Sequence, residues 1–209
     1  MTGGSATQGG RRYDNAGRAE QARLARGRVI DAARTLLIER GYPATTIKAV
    51  ATAADVSAEM IYKSFGTKTA LVKAVYDVTL AGDDEPVAMR ARASIAAIIA
   101  APSIEETVDL YADYVLELAE RIGPLLSALR GGDPEFIATI EQERLTGVSQ
   151  MAEHMDGTGL LRGDVRRARD VVWALLSPDM YHRLVVVRGW DHREYGAWLR
   201  SALKHELIR

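Results

Sequence analysis

The chain has no cysteine, which excludes a disulfide framework and any thiolate metal site. No apolar run is long enough to cross a membrane, and the first residues lack the apolar stretch of a secretory signal. These absences imply a soluble, cytoplasmic protein with no membrane partner. Net charge is also lacking, at −1 over 209 residues, so the whole chain does not look like a nucleic-acid binder. Alternating strand patterns and internal repeats are absent. His154, His182, His192 and His205 have no metal-ligand spacing, and no Gly-rich phosphate loop follows a strand. No paired acid and base can be picked out, and Ser57 and Ser177 read as helix caps rather than nucleophiles. The expectation is no enzyme, no cofactor and no metal.

What is present is asymmetric. Residues 1–78 hold 12 Lys/Arg against 7 Asp/Glu, and residues 79–209 hold 15 against 21. A basic front end on an acidic body suggests an anionic partner for the front end. Residues 1–19 are rich in Gly, Ser, Thr and Gln and read as a disordered arm. Arg11, Arg12, Arg18, Arg23, Arg26 and Arg28 make its end and the next helix basic. As charges alone, they fit a solvated tail as well as an arm that follows phosphates.

Helical periodicity fills the rest, about nine or ten helices. Val29, Ile30, Ala33, Leu36 and Leu37 form one stripe, and Gly41 stops it. Ile104 to Ile122 repeats apolar residues at steps of 4 and 3, with Ser103 and Glu106 as a capping box and Gly123-Pro124 as the expected end. Asp133-Pro134, Ser177-Pro178 and Asp191 with Glu194 start three more helices, the second expected to stop near Gly189. The short gap at residues 81–86 divides a reading unit over 20–80 from a helical body over 81–209.

Residues 42–69 carry the argument. Thr45-Thr46 caps a short helix over 47–53, and Ala54-Asp55-Val56 makes a tight turn. Asp tolerates the left-handed conformation such a turn requires. Ser57 caps a second short helix, with Ile61 and Phe65 inward. Two short helices on a tight turn are a helix-turn-helix, and the major groove of B-DNA admits one helix. The second helix would lie there with Ala58 and Glu59 near base edges and Tyr62 and Lys63 one turn on. Lys68, beside Thr67 in the first turn of the next helix, is placed to hold a phosphate. Ile61, Phe65 and Val50 are core. Lys48, Lys63 and Lys68 are also compatible with plain solvated surface, and Tyr62 with packing.

Gly41-Tyr42, Thr45-Thr46-Ile47, Val50-Ala51, Ala54-Asp55-Val56-Ser57, Ile61-Tyr62, Phe65 and Lys68, followed by Ala70-Leu71, resemble the DNA-binding signature of the TetR family over residues 26–75. The chain departs from that pattern at Asp55, where the family usually has Gly, and at Glu59, where it has a small residue. The resemblance implies an all-α fold with an N-terminal three-helix DNA-binding domain and a C-terminal ligand-binding and dimerisation domain. It implies a regulator, on balance a repressor, that binds double-stranded operator DNA as a homodimer and is released by an unknown small-molecule effector. The expected DNA contacts are Thr45, Thr46, Lys48, Ser57, Ala58, Glu59, Tyr62, Lys63 and Lys68, with the phosphate role of Lys68 implied by the family.

Residues 160–207 resemble, more loosely, the end of the C-terminal domain in one subgroup. Its dimer seam is assigned to 166–177 and 191–207, through Val171, Val172, Leu175, Trp198, Leu199 and Leu203. Intramolecular core is the competing reading for such stripes. A pocket is expected among helices over 104–122, 134–155 and 167–187, lined by Tyr111, Tyr114, Met151, Met155 and Trp173. Plain core is again the commoner role for such residues. A helical adaptor that binds only protein would explain the helices but not the basic front end; salt-dependent binding to duplex DNA separates the two.

Overall fold

A computed structural model describes residues 8–83, 85 and 91–209, and of residues 8–16, 18 and 19 the backbone alone. The described residues are helical, with no strand beyond an isolated bridge between Leu161 and Ile208. They form two compact units. The first comprises residues up to 78 together with 128–130; the second comprises 79–127 and 131–209.

In the first unit α1 spans Gln8–Ala44, α2 Ile47–Ala54, α3 Ala58–Phe65 and α4 Lys68–Ala81. α1 thus begins inside the segment expected to be disordered. Lengthening an existing helix costs no new nucleus, so Ala- and Arg-containing sequence can extend it. Residues 1–7 of the expected arm, and the side chains of Arg11, Arg12 and Arg18, lie outside the described residues. Gly41 breaks α1 at φ 76°, ψ 169°, a conformation open to glycine alone. The core of this unit is the predicted stripe of α1 closed by Val50, Ile61, Leu71, Val72 and Val75, all at most 2 % exposed.

In the second unit α5 spans Ala93–Ile99, α6 Ile104–Ala128, α7 Pro134–Asp156, α8 Val165–Leu175, α9 Pro178–Tyr181 and α10 His192–Leu207, with a π-helical turn over His182–Val187 between the last two. The expected caps are in place: Ser103 Oγ accepts from Glu106 N (3.2 Å), Asp133 from Glu135 N (3.0 Å) and Asp191 from Arg193 N (2.8 Å). Two boundaries differ. α6 does not stop at Gly123-Pro124 but runs on to Ala128. Proline inside a helix removes one hydrogen bond and costs about 3 kcal/mol. Leu125 beyond it is completely buried, and burying a leucine returns about 1.5–3 kcal/mol. The helix expected from Ser177-Pro178 to near Gly189 starts there, Ser177 Oγ accepting from Asp179 N (3.2 Å), but its α-helical part ends at Tyr181 and a π-helical turn runs on to Val187. The core joins Val108, Tyr111, Ala112 and Leu116 of α6 to Val148, Met151 and Met155 of α7, Val172 of α8, and Tyr195, Leu199 and Leu203 of α10.

Candidate nucleic-acid interface

Thr46 Oγ1 accepts from Ala49 N (3.1 Å) and caps α2. The helix ends at Asp55, whose φ of 54° and ψ of 53° are left-handed. Val56 N reaches back to Ala51 O at 3.0 Å, closing the turn. Arg28 of α1 closes the same helix end from outside, Nε to Ala54 O at 3.3 Å. Ser57 Oγ then accepts from Met60 N at 3.1 Å and starts α3. Ile61 is fully buried and fixes the rotation of α3. The opposite face therefore points outward. Glu59, Tyr62 and Lys63 are exposed, Tyr62 at 54 %, and Ala58 is half-buried. Gly66 ends the helix, and Thr67 Oγ1 accepts from Ala70 N (3.0 Å) to cap α4.

Lys68 is more constrained than its sequence position suggests. Its Nζ donates to the Tyr42 carbonyl at 2.5 Å and lies 4.1 Å from the centre of the Tyr42 ring. Burial at this seat pushes the ammonium pKa below its ordinary value. An ammonium carries three donors, so two remain for an outside acceptor. Tyr42 is the residue of this site that the sequence reading did not single out. Its hydroxyl stands 3.5 Å from Thr69 Oγ1, so it ties the break in α1 to the first turn of α4. The signal was the Gly41-Tyr42 pair, counted in the family signature without a role for the Tyr42 side chain.

One expected DNA contact is corrected. Thr45 is 3 % exposed, and its hydroxyl donates to Gly41 O at 2.9 Å. It is a buried brace for the break in α1 and has no free surface for DNA. Thr46, Lys48 and Ser57 are exposed. Of the basic stretch before them, Arg26 lies over the Phe65 ring at 4.7 Å and Arg23 pairs with Glu20 at 2.7 Å.

The second unit corrects two further assignments. Trp173 does not line an interior cavity. It is 40 % exposed, with the Arg144 guanidinium 4.6 Å from its ring centre. Tyr111, Met151 and Met155 are buried, and Tyr114 is half-buried. Val172, Leu199 and Leu203 are at most 1 % exposed within a single chain. Their stripe closes the intramolecular core, so they cannot form a seam with a second copy. Val171, Leu175 and Trp198 are only partly buried. No helix of the described residues is long and apolar enough to cross a membrane.

A capped helix, a left-handed turn and a second capped helix with an exposed polar face define a helix-turn-helix unit, here joined to a larger all-helical unit. Residues 29–75 match the family model described as "Bacterial regulatory proteins, tetR family". Over 48 residues the chain is 46 % identical to the uncharacterized HTH-type transcriptional regulator YvkB of Bacillus subtilis (strain 168), a match covering 23 % of this chain and 25 % of that protein. The chain thus matches about a quarter of the length of this curated relative. The whole fold is similar to that of NalD, the secondary repressor of the MexAB-OprM multidrug efflux pump in Pseudomonas aeruginosa. There the TM-score is 0.68 at 18 % identity, covering 91 % of this chain and 98 % of NalD. It is also similar to the fatty acid degradation regulator FadR from Bacillus halodurans, with TM-score 0.67, 17 % identity and coverage of 85 % and 93 %. Residues 29–75 thus match the DNA-binding model of the TetR family, and the chain as a whole shares its fold with these two regulators.

Proposed function

We propose that this chain is a transcriptional repressor that acts in the cytoplasm, not as an enzyme, on a palindromic operator and is released from it by a small molecule bound in its second unit. The observation that carries the DNA-binding part is the exposed polar face of α3, aimed outward by the buried Ile61. An eight-residue capped helix with that face fits the major groove. Ala58, Glu59, Tyr62 and Lys63 stand on the reading helix, Thr46, Lys48 and Ser57 flank it, and Lys68 sits at the head of α4. NalD is named as a repressor, which supports repression over activation. Tyr111, Tyr114, Met151 and Met155 are the candidate effector-facing residues, an aromatic and thioether group suited to a mainly apolar ligand.

Within this reading Lys68 positions and Glu59 reads. Lys68 contacts a phosphate with the donors that Tyr42 leaves free. Glu59 is an acceptor in the first turn of α3, and a carboxylate there gains only by accepting from a base such as cytosine N4. The test recovers bound genomic fragments, derives their common site, and titrates two variants on that site and on random duplex at several salt concentrations. Lys68→Ala weakens both duplexes alike and lowers the salt slope by about one unit. Glu59→Ala leaves random duplex unchanged or tighter and loses about 1–3 kcal/mol of discrimination at one base pair. A change of base preference in Lys68→Ala, with only a salt-slope change in Glu59→Ala, would show that α3 is not the reading helix.

A further inference from the structure

Two arginines of the second unit, Arg92 and Arg121, act on Asp83 just past the end of α4. Arg92 precedes α5 and is 15 % exposed. It gives both terminal nitrogens to Asp83, Nη1 to Oδ2 at 2.6 Å and Nη2 to Oδ1 at 3.0 Å. Arg121 of α6 donates from Nη2 to the Leu80 carbonyl at 2.9 Å. It passes so close to Gly82 that a Cβ there would stand 3.1 Å from Arg121 Nη1, at a backbone φ of +88°. The Nε of each arginine is buried, and neither has a hydrogen-bond partner among the described residues. A buried charged donor without an acceptor is unfavourable, so two beside one carboxylate mark a feature that an acceptor would stabilise. Tyr114 of α6 stands within the field of both guanidinium groups. Behind it lies the apolar core, with Ile95 and Ile98 of α5.

Asp83 shows which chemistry this cluster favours. The hydrogen bonds from Arg92 and the Glu85 backbone, with the charges of Arg92 and Arg121, hold its carboxyl down to about 2. The cluster therefore already stabilises one carboxylate, and its Nε donors are left for another. We infer that Arg92 and Arg121 form the polar end of an effector site, which takes the carboxylate of an organic acid with its apolar body laid toward Tyr114. The inference rests on the reading of the second unit as an effector domain and gives that effector a chemical class. Paired guanidinium groups suit a carboxylate because charge-assisted hydrogen bonds to its oxygens are short and directional.

The test is calorimetric titration of the intact protein, without DNA, using acetate, phenylacetate and decanoate, the matching amides, and inorganic phosphate. At least one carboxylate binds saturably, and its amide binds about tenfold more weakly or worse, because the amide lacks the charge. Arg121→Gln removes that advantage. Asp83→Asn, which keeps the shape but withdraws the internal competitor, tightens carboxylate binding several-fold. Thermal melts of both variants report whether they fold, and Asp83→Asn still reads the site if Arg121→Gln does not fold. Absence of binding by all three acids, an advantage that survives Arg121→Gln, or unchanged affinity in Asp83→Asn overturns the site. Binding of phosphate alone also overturns it, by assigning the arginines to a free oxyanion. The two readings fail separately. A carboxylate that binds without releasing operator DNA leaves the site standing and sinks the effector reading. A neutral compound that releases operator while no acid binds sinks the site and leaves that reading intact.

Discussion

Asp55 carries the sharpest backbone demand in the reading unit. At φ 54° it is the non-glycine residue with positive φ among the described residues, and an L side chain in that region costs on the order of 1 kcal/mol, less for Asp than for most. It is exposed, so the cost is backbone strain rather than lost packing. Asp55→Gly therefore stabilises the fold by about 0.5–1 kcal/mol, and Asp55→Ala destabilises it by a similar amount. Urea midpoints of the three proteins check this; a destabilised glycine variant would mean that the Asp55 side chain does something besides fill the turn. The turn was legible because left-handed demand and Asp tolerance are local properties. The burial of Thr45 was not. Thr45 and Thr46 are adjacent and identical, so composition cannot say which one caps α2. That choice follows from the break at Gly41, whose carbonyl takes the Thr45 hydroxyl.

Four helix starts of the second unit, at Ser103, Asp133, Ser177 and Asp191, were legible because a cap acts over two or three residues. The start of α5, which has no side-chain cap bond, and the Asp164 cap of α8 were not read. Helix ends were less legible. Gly123-Pro124 is a strong local stop, yet α6 passes through it because Ile122, Leu125 and Leu129 are buried, a tertiary fact invisible in a local window. The π-helical turn over His182–Val187 was read as ordinary helix for the same reason: its Leu184 and Val185 pack against the core while Val186 and Val187 face out. α10 offers a test of how these elements hold together. Tyr195 is buried, edge-on to Tyr181 at 5.4 Å and 5.6 Å from Trp198. Burial, then the neighbouring Tyr181, pushes its phenol up to about 12. A phenol harder to ionise in the folded state contributes stability that is complete below pH 10. That stability is lost as pH rises from about 10, where the unfolded chain ionises, to about 12. Tyr195→Phe removes this loss, so stability relative to the parent chain rises over that window. Urea midpoints at pH 8 and pH 11 read the difference, and parallel curves for the two proteins would place the phenolate in solvent.

At the scale of the whole molecule the argument concerns how many copies act together. One short reading helix touches few base pairs, and symmetric pairing doubles the contacts while fixing two half-sites about 34–36 Å apart. The stripe expected to make that pairing is only half available, because Val172, Leu199 and Leu203 are consumed by the core of a single chain. Periodicity marks a buried face but not which chain buries it. What remains outside is apolar all the same: Trp173 at 40 % exposure on α8, and Val186 and Val187 at 62 % and 65 % on the π-helical turn. Exposed β-branched and aromatic side chains of this size suit an isologous interface between two copies. We therefore expect a homodimer that uses these residues with the partly buried Val171, Leu175 and Trp198. Placing carboxylates on the turn, as Val186→Asp with Val187→Asp, buries unpaired charge in that interface, which costs several kcal/mol. Because both positions are highly exposed in the single chain, the substitutions leave its own core unchanged. In sedimentation at micromolar concentration the parent protein runs as a dimer and the double variant as a monomer. Operator affinity of the variant falls by a factor on the order of 100 or more while its random-duplex binding per chain is retained. A monomeric parent, or a variant that stays dimeric, would move the pairing surface away from this turn or remove it altogether.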